Sequence, residues 1–303
     1  MNTNADKVVI ATRGSKLALW QAEHVKSLLQ NNWPRLEVEL NIIKTSGDKI
    51  TDVPLAQVGG KGLFVKEIEE ALLEENADLA VHSLKDVPGE MPPGLELDAF
   101  PERGEFADCF LSEKYRDIFE LPANAVVGTS SVRRKSQLSA LRPDIYIHSL
   151  RGNLDTRLRK LGEGMFDAII VAAAGLKRLG LGAKYEYHLL PPEFIPGVGQ
   201  GSLGIEFKKD NERVRELVSR IDHLPTRHAV FTERSFLQRL EGSCQVPIGG
   251  LARFNEDKEL EFHGLVSDLE GKHIISAQGV DVVDNAADLG VRVADDILNR
   301  GGR

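Results

Sequence analysis

The chain has almost no cysteine: two in 303 residues, Cys109 and Cys244. Two cannot make a disulfide framework, and so few fit a reducing compartment. An N-terminal address is missing too. Residues 1–7, MNTNADK, carry neither a basic start nor an apolar run, so no signal peptide is expected. No stretch reaches the roughly 18 apolar residues that a membrane-spanning helix needs. Positive charge is not in excess. The formal net charge of −8 argues against a general nucleic-acid binder. There is no HExxH motif and no closely spaced cysteine pair, so a metal enzyme is not expected. What these absences leave is a cytoplasmic enzyme or binding protein.

The length suggests about two domains, with three possible. Charge is uneven along it. Residues 128–160 hold eight Lys/Arg against two acids, a net +6, which leaves −14 on the rest of a chain whose total is −8. A basic segment in an acidic protein points to a local anionic ligand, although most charge runs are simply solvated faces.

Periodicity gives the organisation. Residues 7–12 read as a buried strand, Arg13-Gly14-Ser15 as a turn, and 16–31 as a helix with Leu17, Trp20, His24 and Leu28 in one stripe. Strand, small turn and helix together leave free N–H groups at the helix start, where an anion can bind. Residues 36–43 alternate as a strand, and 45–62 are rich in Gly and Asp without a period. A helix with Phe64, Ile68, Ala71 and Leu72 on one face leads to a strand from 78 that ends in polar groups before Pro88. The character changes over 101–122. A strand at 125–128 then runs into Thr129-Ser130-Ser131, a hydroxyl-rich N-cap for a helix over 132–141. That helix carries Arg133 and Arg134 in its first turn, where cations oppose the helix dipole. Either a bound anion or a nearby acidic side chain would account for them. A strand at 145–148, a helix marked by Leu154, Leu158 and Leu161, and a strand at 167–172 follow. Strand, hydroxyl turn and helix thus occur twice, at 8–31 and 125–141. Helix then Asp-led strand also occurs twice, at 64–85 and 154–177. Two similar α/β lobes are implied, with strand ends facing a shared cleft.

Gly199 to Gly204 match the dinucleotide pattern GxGxxG, but they follow a proline-rich connector and lead into a strand, so that reading is rejected. Residues 211–221 read as helical. After His223 come a helix with Thr226 as its N-cap, a short loop holding Cys244 among small residues, three strands with polar turns at 255–259 and 270–272, and a closing helix near 286–299. That is a small α+β domain. Cys244 is either a small apolar residue or a reactive thiol open to a bulky adduct. A cysteine nucleophile would need a histidine base, and only His228 and His263 are candidates by position. A two-lobed anion-binding protein without chemistry is the other alternative.

Six blocks carry a resemblance: ATRGSKLALWQ at 11–21, VHSLKDVP at 81–88, GTSSVRRKSQL at 128–138, LRGNLDTRL at 150–158, PGVGQG at 196–201 and EGSCQVPIGG at 241–250. In this order, over nearly the whole chain, they resemble the hydroxymethylbilane synthase (porphobilinogen deaminase) family. The resemblance implies two lobes like those of periplasmic binding proteins, at 1–101 with 195–222 and at 102–194, and an α+β domain at 223–303. It implies head-to-tail condensation of four porphobilinogen molecules with release of ammonia, then hydrolysis to hydroxymethylbilane for haem-type pigments. The primer would be a dipyrromethane cofactor held by a thioether to Cys244.

Each ring brings an acetate and a propionate, so six rings present about a dozen negative charges, which arginine forks suit. By the resemblance, Arg133, Arg134, Lys85, Thr129, Ser131 and Gln200 serve the cofactor. Arg13, Ser15, Arg151, Arg157 and Arg178 serve the incoming ring and the growing chain, while Arg142 and Arg159 are ordinary surface charges. Asp86 is the catalytic group. One carboxylate can accept pyrrole N–H bonds, offset the positive charge that builds on the rings and move protons, with Lys85 beside it to favour its charged form. Phe64 stacks on a pyrrole or packs in the core, and 45–62 forms a lid. The partners expected are porphobilinogen and the polypyrrole chain, with no nucleic acid, no membrane and a monomeric state.

Overall fold

The computed structural model describes residues 7–46, 65–240 and 246–302. The expectations for Phe64, Cys244 and all but the first two residues of the lid lie outside these. Contacts divide the chain into two units, Met1–Arg103 with Ser202–Arg227, and Gly104–Gly201 with His228–Arg303.

The first unit opens with β1 (Lys7–Arg13), α1 (Lys16–Asn32), β2 (Glu37–Ile43), α2 (Lys66–Leu73), β3 (Leu79–Ser83) and β4 (Leu95–Ala99). The second has β5 (Asp108–Ser112), β6 (Val126–Gly128), α3 (Val132–Leu141), β7 (Tyr146–His148), α4 (Leu154–Gly162), β8 (Ala168–Ala172), α5 (Ala173–Leu179) and β9 (Tyr185–Leu189). The chain returns to the first unit as β10 (Leu203–Lys208) and α6 (Glu212–Ser219). It ends with α7 (Leu224–Arg239), β11 (Ile248–Phe254), β12 (Leu260–Ser267), β13 (Ile274–Asp281) and α8 (Ala286–Asn299).

The repeat seen in the sequence is a repeat of topology. The first sheet runs β2-β1-β3-β10-β4 and the second β7-β6-β8-β5-β9. In each, three neighbouring strands pair in parallel, as a helix crossing over between the first two of them in chain order allows, and the far edge strand runs the same way. A fourth strand then enters antiparallel: β10 between β3 and β4, β5 between β8 and β9. In both sheets that strand is the one the chain makes as it passes from one unit to the other. The third sheet is the expected antiparallel meander β11-β12-β13, with α7 and α8 packed on it through Phe236, Phe262, Leu289 and Val293. The α/β class with two lobes and a small α+β part is therefore present. Among the described residues no helix is long and apolar enough to cross a membrane.

Two local expectations need correction. On α1 the buried stripe is Ala22, Val25 and Leu29, with Gln21. Trp20 and His24 lie on another face and stack on each other with ring centroids 5.1 Å apart. Alternation of large side chains suggested the wrong face, because the small Ala22 sits where the helix approaches the sheet. Thr226 is not the cap of α7. The helix starts two residues earlier, and the buried Thr226 hydroxyl instead accepts the Arg103 N–H (2.9 Å).

Candidate active site

In the first unit the β1–α1 turn and the end of β3 meet at a recess of about 80 Å³ lined by Arg13, Ser15, Gln21, His82, Ser83 and Asp86. The Ser15 hydroxyl caps α1 by accepting the Ala18 N–H (3.2 Å), and the first turn of α1 carries no acid. The helix therefore presents its positive end to the recess. Gln21 donates to the Ser83 hydroxyl (2.7 Å), which ties α1 to the strand end. After Ser83 the chain makes a 3-10 turn over Leu84–Asp86. Only Leu84 points inward, which leaves Lys85 and Asp86 exposed. Asp86 is thus brought beside Arg13 and Ser15 from a distant part of the sequence.

In the second unit the unusual arginines of α3 are buried, at 6 % and 5 % exposure, around Asp108 at 0 %. Arg133 Nη1 reaches Asp108 Oδ2 at 2.7 Å and the Ile195 carbonyl at 2.8 Å. Arg134 reaches Asp108 Oδ1 through Nη2 (2.7 Å) and Nε (2.8 Å), and the Ile170 carbonyl at 3.2 Å. Gln200 links the group. Its amide donates to Asp108 Oδ1 (3.0 Å) and to the Phe106 carbonyl (2.8 Å), and its oxygen accepts from Arg134 (3.3 Å). Burial alone would raise the Asp108 carboxyl, but the two guanidinium groups outweigh it and hold it well below the usual carboxylate range. The acidic neighbour that the sequence left open is therefore Asp108. Among the described residues it is the one carboxylate paired with either arginine, so the buried group keeps a unit of positive charge.

The remaining basic residues differ in how far they are committed. Arg178 is half-buried and donates to the Gly201 carbonyl (2.7 Å), and burial pulls it down to about 10. Gly201 has φ +88° and a side chain there would stand 2.7 Å from the Glu105 carbonyl oxygen, so only glycine presents this acceptor. Arg157 donates to the Gly152 carbonyl (2.9 Å), and Lys160 holds the Arg151 carbonyl (3.3 Å). Thr129 is buried and its hydroxyl accepts the Ser131 N–H (3.2 Å), while Ser131 caps α3 at Arg134. Arg142 is fixed to Asp144 (2.7 Å) and to two carbonyls, and Arg159 pairs with Glu163 one turn on.

Sequence reasoning missed Asp108 and the buried pair His82–Glu206 (2.8 Å). The available signal was an acid inside a short apolar run, which must be paired once buried. Of the two cysteines, Cys109 is buried in β5 and burial pushes its thiol up to about 12, so it is inert.

A repeated five-strand α/β lobe with a positively charged interior at the head of α3, followed by an α+β part with the second cysteine, defines a two-lobed α/β protein with a buried positive site. Comparison with known proteins narrows this class. Residues 8–216 match the model of the porphobilinogen deaminase, dipyromethane cofactor binding domain, and 228–299 that of the porphobilinogen deaminase C-terminal domain. The chain belongs to the porphobilinogen deaminase family. A relative of that name from Nitratidesulfovibrio vulgaris (strain DP4) is 57% identical over 97% of this chain and 94% of its own. One from Maridesulfovibrio salexigens is 52% identical over 98% and 96%. A solved structure of the methionine-binding protein MetQ is matched with TM-score 0.44 and 13% identity, over 72% of this chain and 91% of that one. The activity of the family is hydroxymethylbilane synthase, a transferase of tetrapyrrole biosynthesis that uses a dipyrromethane cofactor.

Proposed function

We propose the following division of labour for this activity. Cys244 holds the dipyrromethane through a thioether. That group, made from two substrate units, supplies the free ring carbon from which the chain is extended and stays attached throughout. The donor set suits it: two buried guanidiniums facing one carboxylate favour a further anion, and a charge-assisted bond to a carboxylate contributes about 1.5–3 kcal/mol. Arg133 and Arg134, oriented by Asp108 and Gln200, take cofactor carboxylates, with Lys85, Thr129 and Ser131 as further donors. Arg13, Ser15, Arg151, Arg157 and Arg178 take the carboxylates of the incoming unit and of the growing chain. Asp86 accepts pyrrole N–H groups and moves the protons of each addition. Lobes at 1–101 with 195–222 and at 102–194, and a domain at 223–303, carry these parts. The enzyme works as a cytoplasmic monomer on porphobilinogen and binds no nucleic acid or membrane.

The observation that carries the reading is the charge imbalance at Asp108, Arg133 and Arg134, deep in a protein of net charge −8. The test is the mass of the peptide holding Cys244. An excess of two linked pyrrole units is expected. A peptide still unmodified after incubation with porphobilinogen would refute the attachment.

A further inference from the structure

Each addition breaks a C–N bond on the incoming unit and a C–H bond on the attacking ring, and forms the C–C bond that joins the two. The ring proton goes to a base, and the nitrogen leaves as ammonia after taking a proton from an acid, with no change of oxidation state. Asp86 is a single exposed carboxylate with both tasks. A buried store beside it, able to take up or return a proton, would reset it between additions.

We propose that the buried His82–Glu206 pair is that store, a proton relay opening on the same recess as Asp86. It rests on the role given to Asp86 above. His82 lies opposite Gly204 in the antiparallel β3–β10 ladder, and Glu206, two residues on, shares its face. Imidazole Nε2 and carboxylate Oε2 are 2.8 Å apart, and both residues are almost fully buried. His82 nevertheless lines the recess with Arg13, Ser83 and Asp86. The imidazole thus joins the carboxylate behind it to the reaction side.

Two features set the pair apart from a structural one. Among the described residues Glu206 Oε1 has no hydrogen-bond partner, and an open buried acceptor costs about 1–3 kcal/mol. That oxygen is left to take a proton or a water. The helix over the pair, α2, packs Ile68 and Leu72 there but also brings Glu69. Burial raises the Glu69 carboxyl, the Glu206 charge raises it further, and His82 opposes. The groups facing His82 are therefore Glu206 from β10, Glu69 from α2, Arg13 from the end of β1 and Asp86 from the turn after β3. Buried charge pairs are poor sources of stability compared with apolar packing, so stability alone does not explain this one.

The test uses the loaded enzyme. His82→Gln keeps an amide N–H for Glu206 but cannot pass a proton, and Glu206→Gln keeps an acceptor for the imidazole. Each should lower kcat by roughly 100-fold, the lower end for a positioned acid–base group. KM for porphobilinogen and the cofactor mass should stay unchanged, and the pH profile of kcat should lose one ionisation. A profile that superimposes on the parent's after scaling would mean a structural pair and overturn the relay. Should neither variant fold, the solvent-isotope proton inventory of a single addition by the parent enzyme decides: a curved plot, with more than one proton in flight, supports the relay and a straight one overturns it. Asp86→Ala, run alongside, separates the two readings. If it turns over normally, the Asp86 role fails; if it is slow while the His82 and Glu206 variants keep the parent profile, only the relay fails.

Discussion

Replacing Asp108 by asparagine tests the arrangement most directly. The substitution keeps the shape and removes the charge that faces two buried guanidiniums at 2.7 Å each. It also turns an amide toward at least one of them. The Ile195 and Ile170 carbonyls and Gln200 still hold the arginines, but no anion among the described residues replaces the carboxylate. Removing one partner of a buried pair costs about 3–5 kcal/mol. That is a large part of the roughly 5–15 kcal/mol that holds a domain folded. Hydrogen exchange at the β5 and α3 amides is the suitable assay, because it reads the free energy of this region separately from the first unit. The pH dependence has a definite sign. A carboxyl held low in the folded state stabilises fully above its unfolded value, near about pH 4, and that stabilisation is lost as the pH falls toward the folded value. The parent should thus exceed Asp108→Asn by the full amount at pH 6–8, and the gap should shrink below about pH 4. A gap under about 1 kcal/mol at neutral pH, or one that persists unchanged at pH 3, would refute the reasoning.

Other expectations concern chemistry. Asp86→Ala should keep the cofactor mass and lose nearly all turnover; near-normal turnover would count against Asp86 as the group that moves protons. Cys109, buried with its thiol at about 12, should react with a thiol reagent only on unfolding. The unfolded parent should then show one reactive thiol of the two cysteines in the sequence. Two reactive thiols would mean that Cys244 carries no thioether. Cys244→Ser should show one as well, with neither the mass excess nor activity.

The parts of the fold legible in the sequence are those whose signal is local. Ser131 before an apolar-spaced helix gave α3 its boundaries, Val132–Leu141, and the last helix, Ala286–Asn299, showed its period plainly. Three strands, β4, β5 and β9, gave no usable pattern. All of β5 is buried because it lies inside a sheet, so there is no alternation to read in Asp108–Ser112. The same holds for the site. Arg133 and Arg134 were conspicuous because cations are wrong for a first helical turn, and that local conflict announced a partner. It could not say which, since an anionic ligand and a buried acid relieve it equally. The partner present, Asp108, lies 25 residues earlier, and sheet pairing brings it under α3. His82 and Glu206 are 124 residues apart; Glu206 stands in an apolar run and so asks for a partner, but nothing local names His82. Where a charged residue breaks a local rule, sequence reveals that a second group exists. Where the answering group is unmarked by any local conflict, as at His82, only the fold reveals it. The mechanistic content added by the structure therefore lies mainly in the antiparallel strands β5 and β10, which the chain inserts on its way between the units.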